Sequence, residues 1–206
     1  MSKNRSLVRS MAFIAIAGAL GAVLMALDFA VPFVPSFLKF DISDLPGLFV
    51  GFFLGPVQGA ACCFVKVLVR LLIKPTKTGY IGELVNLLGS LAFILPASLI
   101  YRRLHTKKGA LISLISATLF VSVAYIFLNA YISFPMYGKL YHLSTDAIVA
   151  MGSAVNPLVK DNVTLMLFSI FPFNLFKYGV ASLLTWLLYK RCGRVLRSIM
   201  AEPDKS

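Results

Sequence analysis

Acidic residues, histidine and cysteine are all scarce in this chain. Its 206 residues include 8 Asp and Glu, 2 His and 3 Cys. Only 14% of the residues are charged, whereas soluble domains have about 25%. The cysteines show no CxxC or Cys/His spacing, so we expect neither a disulfide framework nor a metal site. Because 59% of the residues are hydrophobic, the composition indicates a membrane protein.

Motifs for catalysis and for nucleotide binding are also missing. The sequence contains no Ser/His/Asp grouping, no carboxylate pair spaced for hydrolysis and no G-x-x-x-x-G-K-[ST] phosphate loop. We therefore expect no enzyme activity and no bound cofactor. Any transport that uses ATP would need a separate subunit to hydrolyse it.

Positive charge dominates, and it lies beside the apolar runs. The formal net charge is +12. Short basic clusters precede the first run, separate two later runs and follow the last: Lys3, Arg5 and Arg9; Arg102, Arg103, Lys107 and Lys108; Lys190, Arg191, Arg194 and Arg197. Clusters of this kind mark the cytoplasmic loops of membrane proteins. We therefore expect a lipid bilayer around the chain and no nucleic acid partner.

The apolar runs predict an all-α membrane protein, a compact bundle of six transmembrane helices formed by residues 1–206 as a single domain. A span needs about 20 residues, and the run from Leu45 to Ile73 is too long for one span and short for two. Gly55 and Pro56 interrupt it. Two short crossings here, rather than one, leave the first two basic clusters on the same side of the membrane. The predicted spans are 11–30, 45–55, 57–73, 83–101, 109–133 and 172–189, with both termini in the cytoplasm.

The last span carries two polar residues in an apolar stretch, "FPFNLFKYG" from Phe171 to Gly179. An isolated ammonium at the bilayer centre costs about 2.5–3.5 kcal/mol on insertion scales. A helix that begins at Pro172, where proline is tolerated in the first turn, places Asn174 and Lys177 towards the outer face. The alternative, one helix over residues 163–189, would be about 40 Å long.

Further polar and aromatic residues fall at the outer ends of the predicted spans. Asp41, Asn86 and a tyrosine-rich stretch that begins at Asn129 would join Asn174 and Lys177 there. Aromatic rings stack on flat ligands, and side-chain amides supply paired donors and acceptors. This set of residues suits a flat, amide-rich aromatic ligand better than a sugar or a peptide.

Purely structural interpretations of the same polar residues stay open. Lys177 would be neutralised by an ion pair with Glu83 or Asp41. Arg70 is expected to extend its guanidinium to lipid headgroups. Tyrosines of the outer segment are typical of the aromatic belt at a membrane interface: Tyr131, Tyr137 and Tyr141.

Small residues recur along one side of the first helix. Ala15 and Ala19 are four residues apart, and so are Gly18, Ala22 and Ala26. In lipid, small residues at this spacing allow a second helix to approach closely. The stripe predicts either a docking face for another membrane subunit or packing against the chain's own helices.

Four stretches together resemble the riboflavin-specific substrate-binding subunits, or S components, of energy-coupling factor (ECF) vitamin transporters. They are "FLKFDISDLPGLFVGFFLGPVQG" (Phe37–Gly59), "TGYIGELVNLLGS" (Thr78–Ser90), "NAYISFPMYG" (Asn129–Gly138) and "PFNLFKYG" (Pro172–Gly179). The resemblance covers nearly the whole chain between the basic ends, and the segment around Ser144–Pro157 departs most from the family's pattern.

The resemblance implies a multi-pass protein of the bacterial cell membrane with a riboflavin pocket near the outer surface, closed by the first outer loop. Riboflavin would be the transported ligand rather than a cofactor. The implied pocket residues are Leu38, Phe40 and Asp41 in the loop and Asn86, Asn129, Asn174 and Lys177 in the helices. The alanine stripe would dock on a transmembrane coupling subunit (T component) driven by two ATPase subunits: Ala15, Ala19, Ala22 and Ala26.

Two other hypotheses fit the sequence. One is an S component for a different vitamin, such as thiamine, biotin or a folate. The other is a structural membrane protein whose polar residues only cap helices and anchor headgroups, without binding a ligand.

Overall fold

The computed structural model describes the backbone of residues 2–200 and the side chains of residues 7–189. Helices make up most of this backbone, as predicted. Lys3, Arg5, Cys192 and the basic cluster at 190–197 lie outside the described side chains. In chain order the elements are α1 Ser2–Ala26, β1 Phe29–Ala30, β2 Lys39–Phe40, α2 Leu45–Phe53, α3 Pro56–Ile73, α4 Ile81–Leu104, α5 Lys107–Leu128, a first π-helical segment Asn129–Ser133, α6 Phe134–Tyr141, α7 Thr145–Ser153, α8 Asn162–Leu165, a second π-helical segment Met166–Ile170 and α9 Phe171–Met200.

Among the described residues, five helical stretches are long and apolar enough to cross a membrane. Their outer surfaces expose large apolar side chains, as a lipid-facing surface does. Fully buried side chains of α4, α5 and α9 fill the core between the helices, among them Phe93, Leu114 and Tyr178. The five stretches are Leu7–Ala26, Pro56–Ile73, Ile81–Leu104, Lys107–Tyr141 and Asn162–Tyr189.

The crossing predicted at 45–55 is only a short helix. α2 has 9 residues and is about 14 Å long, whereas the hydrocarbon core is about 30 Å thick. It is buried against α1, α3, α4 and α9. Asp44, just before α2, pairs with Lys66 halfway along α3, and residues 51–54 border a cleft with Arg102 and His105 at the end of α4. α2 therefore runs from the middle of the bundle to the end where α4 finishes.

Two prolines lie inside continuous helices where we predicted helix ends. α5 continues through the first π-helical segment to Tyr141, beyond the predicted end at residue 133. The last helical stretch begins at Asn162, not at Pro172. Pro135 and Pro172 each lie two residues beyond a π-helical segment. The extra residue in such a segment relieves the clash of a proline ring with the preceding turn.

A loop side chain satisfies the backbone next to the second proline. Pro172 has no N–H to offer the Phe168 carbonyl, and Asn156 Nδ2 donates to that oxygen at 3.1 Å. The helix can therefore continue through the proline. Lys177 consequently lies near the middle of Asn162–Tyr189, not in the first turns of a helix as predicted. A charge at this depth requires a partner.

The first loop folds back onto the bundle. α1 ends at Ala26 rather than at residue 30, because Phe29–Ala30 pairs antiparallel with Lys39–Phe40. This two-stranded ribbon directs the following residues inwards. The loop, residues 27–44, thus reaches the interior at Asp41 and Asp44, which are 7% and 2% exposed.

We predict that Gly59→Ala destabilises the protein and that Gly179→Ala does not. A Cβ on Gly59 would lie 2.9 Å from the Cα of Gly51, where backbone cannot yield easily, so we expect a loss of about 1–3 kcal/mol. A Cβ on Gly179 would meet nothing within 4 Å. Thermal unfolding of the detergent-purified variants measures both effects. Equal unfolding midpoints would contradict the close packing of α2 on α3.

Candidate ligand-binding site

One end of the bundle contains a partly open cavity of about 490 Å³, within the range of about 300–1,000 Å³ typical of small-molecule sites. The first loop, the α3–α4 connection, α5, α6, α7 and α9 all contribute to its walls. The residues predicted from sequence that line it are Leu38, Asp41, Asn86, Asn129, Asn174 and Lys177.

Phe40 is the predicted site residue that does not line the cavity. Its ring centroid lies 5.4 Å from that of Phe29 and 5.5 Å from that of Phe176. Aromatic pairs at this separation attract one another. Phe40 therefore fastens the first loop to α9 instead of facing the cavity.

Lys177 finds its counter-ion in the first loop. Its Nζ lies 2.7 Å from Asp41 Oδ2, and the two side chains are 7% and 4% exposed. Asp41 Oδ1 accepts hydrogen bonds from the backbone N–H and the hydroxyl of Ser43. Of the two acids considered from sequence, Asp41 is the partner and Glu83 is not. The ion pair leaves the cavity open beside it, because both residues line that space.

Asn129 and Asn174 are held by their own helices. Asn129 Nδ2 donates to the Tyr125 carbonyl at 2.8 Å, and Asn174 Nδ2 donates to the Ile170 carbonyl at 2.9 Å. Asn129 opens the first π-helical segment, and Ile170 ends the second. Both side chains are buried and line the cavity. Among the described residues, no donor reaches either Oδ1, so each amide offers the cavity a fixed acceptor.

Aromatic side chains form much of the remaining wall. Phe134 and Tyr137 line the cavity, and Phe37 meets Phe134 edge-on at 6.1 Å between centroids. Tyr137 and Tyr141 therefore face the site rather than forming the lipid belt that was the alternative interpretation. Tyr131 is 76% exposed and fits that belt.

A second ion pair in the cavity wall was not predicted. Arg70 Nη1 lies 2.5 Å from Glu83 Oε1, and both residues are buried. Glu83 Oε2 accepts hydrogen bonds from the hydroxyls of Thr76 and Thr78, each at 3.0 Å. Arg70 thus does not extend to headgroups as expected. A buried arginine needs an acid to compensate its charge. The chain has only 8 Asp and Glu residues, so few acids could pair with Arg70, and this scarcity is the signal that could have indicated the pair.

One ion pair joins the first loop to the α3–α4 connection at the rim of the cavity, and a second lies within the loop. Asp28 contacts Lys74 at 2.9 Å and Lys39 at 3.3 Å. Partial burial raises the pKa of the Asp28 carboxyl, but the hydrogen bonds and positive charges of the two lysines outweigh this, so its pKa lies below the usual value. The carboxylate therefore stays charged and tethers the loop.

The alanine stripe of α1 is divided between two environments. Ala22 is fully buried, and a Cβ on Gly18 would lie 2.5 Å from Val65 Cγ1 of α3. This side of α1 packs inside the protein, so Ala22 is not available for docking as predicted. Ala15 is exposed and Ala19 is half-buried, which leaves these positions accessible. Ala26 is also half-buried.

The apolar crossing helices and the partly open cavity, with polar groups in its wall, define a multi-pass membrane protein with a site for a small ligand. Residues 9–189 match the family described as "ECF transporter, substrate-specific component", and the chain belongs to this family. The family that the resemblance implied is thereby confirmed.

Relatives and a solved structure support this membership. The chain is similar to "Riboflavin transporter RibU" of Staphylococcus aureus (strain TCH60), with 30% identity over 200 residues, 97% of this chain and 96% of the relative. It is similar to "Riboflavin transporter FmnP" of Bacillus subtilis (strain 168), with 26% identity over 185 residues, 88% of this chain and 90% of the relative. A solved structure described as "Structure and mechanism of the S component of a bacterial ECF transporter" matches with a TM-score of 0.71 and 29% identity, over 95% of this chain and 99% of that one.

We predict that Lys177→Met strongly destabilises the protein and that adding Asp41→Asn restores most of the loss. The single change leaves a buried carboxylate without its cation, which costs about 3–5 kcal/mol, whereas the double change removes both charges. Thermal unfolding of the ligand-free, detergent-purified proteins measures the difference. A single variant as stable as the unaltered protein would show that the ion pair does not compensate the buried charges.

Proposed function

We propose that this protein is the riboflavin-binding subunit of an ECF-type transporter. It captures riboflavin at the outer face of the membrane, and a separate coupling module with two ATPase subunits drives uptake. The single observation that carries this proposal is the cavity whose wall presents two fixed amides and a buried ammonium among aromatic rings.

The chemistry of riboflavin matches these groups. Its isoalloxazine ring is flat, and one edge is an imide with an N–H between two carbonyl oxygens. One of the Oδ1 atoms of Asn129 and Asn174 accepts from this N–H and the other from a hydroxyl of the ribityl chain, while the Lys177 ammonium donates to a carbonyl oxygen. Phe134 and Tyr137 offer apolar surface to the rings. Small-molecule sites typically bury most of the ligand, which favours high affinity.

The proposed orientation places the cavity towards the outside and both termini in the cytoplasm. The basic cluster around Arg102 and Lys107 spans the last turn of α4 and the start of α5, at the end of α4 remote from Glu83 and the cavity, and basic clusters favour the cytoplasmic side. In this orientation the inward-folded loop 27–44 and α2 together complete a sixth crossing. A single integral-membrane domain then holds the site.

The coupling subunit is proposed to dock on the exposed part of the small-residue stripe. Ala15 and Ala19 remain accessible on α1, and small side chains there allow a partner helix to approach closely. This contact lies on the outer surface of the bundle, so it leaves the ligand cavity unobstructed.

We predict that Asn174→Ala weakens riboflavin binding about tenfold or more, because a buried hydrogen bond to the ligand is lost. Isothermal titration calorimetry of the detergent-purified protein with riboflavin measures the change. Lys108→Ala, at an exposed lysine remote from the cavity, is the matched control and should bind as tightly as the unaltered protein.

The same titration repeated with excess thiamine, biotin or folate tests the choice of vitamin. We expect none of them to displace riboflavin. Displacement by one of them would assign the site to that vitamin. Unchanged riboflavin affinity in Asn174→Ala would contradict the proposed contact.

We predict that Ala19→Leu lowers riboflavin uptake by cells that contain the coupling module but leaves riboflavin binding by the purified protein unchanged. The added side chain obstructs a close helix contact on the surface of α1, remote from the cavity. Val123→Leu, at an exposed position of α5, is the control and should leave uptake unaffected. Normal uptake by Ala19→Leu would exclude this docking face.

A further inference from the structure

The ion pair in the cavity is connected to a second buried ion pair beneath it. Lys66 Nζ in α3 lies 2.7 Å from Asp44 Oδ1 and donates to the Ser43 hydroxyl at 3.3 Å. The Ser43 hydroxyl donates in turn to Asp41 Oδ1, on the carboxylate that pairs with Lys177 through its other oxygen. A continuous chain of hydrogen bonds therefore joins the two buried lysines.

Lys66 lies behind the cavity wall, where it bonds residues of the first loop and α4 without lining the cavity. The residue is 2% exposed and is not part of the cavity lining. Its third hydrogen bond goes to Ser90 Oγ at 2.7 Å, and Ser90 donates to the Asn86 carbonyl on the cavity wall. Lys66 thus uses all three N–H groups on fixed oxygens of the first loop and α4, and it cannot contact a ligand itself.

The charges explain why a second cation is needed. Lys177 Nζ lies 2.7 Å from Asp41 Oδ2. A ligand that accepts a hydrogen bond from Lys177 weakens this pairing, and Asp41 is then a buried carboxylate with reduced compensation, which is costly. On the described residues, Asp41 Oδ1 then keeps the hydrogen bonds from the Ser43 backbone N–H and hydroxyl, and the Lys66 ammonium behind that hydroxyl supplies the positive charge.

We infer that Lys66 is a positioning residue for ligand binding: through the Ser43 hydroxyl it holds the Asp41 carboxylate fixed and ionised, so that Lys177 can donate to the ligand. This inference rests on the proposed riboflavin function. The competing explanation is that Lys66 serves stability alone, by neutralising Asp44.

Ser43→Ala tests the relay directly. It removes the bridging hydroxyl and leaves both ion pairs and the Ser43 backbone N–H bond to Asp41 in place. We expect riboflavin affinity, measured by calorimetry on the detergent-purified protein, to fall about tenfold, as for one lost hydrogen bond to a charged group. Ser113→Ala is the matched control: this buried serine donates to the Ala110 carbonyl within α5, and its loss should leave affinity unchanged.

Lys66→Met combined with Asp44→Asn separates positioning from stability. Lys66→Met alone leaves Asp44 unpaired, and its failure to fold would reveal nothing about the ligand. The double change removes both charges of the lower pair, so we expect thermal unfolding close to that of the unaltered protein. Riboflavin affinity should nevertheless stay at least about tenfold weaker, because Asp41 has lost its second cation.

The outcomes distinguish this inference from the function on which it rests. Normal riboflavin affinity in Ser43→Ala, or in the stable double variant, would overturn the positioning role while the unaltered protein still binds riboflavin. Absence of riboflavin binding by the unaltered protein would instead remove the proposed function. Reduced affinity in both variants at preserved thermal stability would support the positioning role.

Discussion

The contact between Lys177 and Asp41 organises the bundle around it. An ammonium in the middle of an apolar helix is costly in lipid, and the acid that compensates it comes from a loop 136 residues away in sequence. That loop must therefore enter the bundle, and α2 must begin inside it. The half-length α2, the buried Asp44–Lys66 pair and the cavity beside Lys177 all follow from bringing this loop to the centre. Buried ion pairs contribute little net stability, so their presence here fits a role in binding.

The two π-helical segments contain one of the two cavity asparagines and the residue that fixes the amide of the other. Each precedes a proline. Asn129 begins the first segment, and Asn174 donates to the carbonyl of Ile170, which ends the second; both amide nitrogens thus bond a carbonyl of their own helix. Each amide is thereby fixed in orientation by its own helix. Preorganised groups lose less entropy on binding than mobile ones, so such backbone irregularities suit a site that must retain a dilute nutrient.

Much of this arrangement could be predicted from sequence, because a segment that crosses lipid must be apolar over about 20 residues, and the sequence shows such runs directly. The runs that became α3 and α4 were placed within a few residues. Asn129 and Asn174, expected together at the outer ends of the predicted spans, line one cavity. The predictions that failed were those in which contacts with distant parts of the chain outweighed a local sequence rule. Pro172 suggested a helix start, but the π-helical segment and Asn156 let the helix continue. Ala22 shared the spacing of a docking stripe, yet only packing shows which side of α1 faces α3.

The central claim is that the polar groups in the cavity beside Lys177 serve to hold a flavin rather than only to neutralise one another. The most direct measurement is the visible absorption spectrum of the protein purified in detergent from riboflavin-replete cells. The account predicts a yellow protein that carries about one flavin per chain and takes up riboflavin again after the bound flavin has been removed. A colourless protein that shows no flavin absorption, and acquires none on incubation with excess riboflavin followed by removal of the free vitamin, would contradict it.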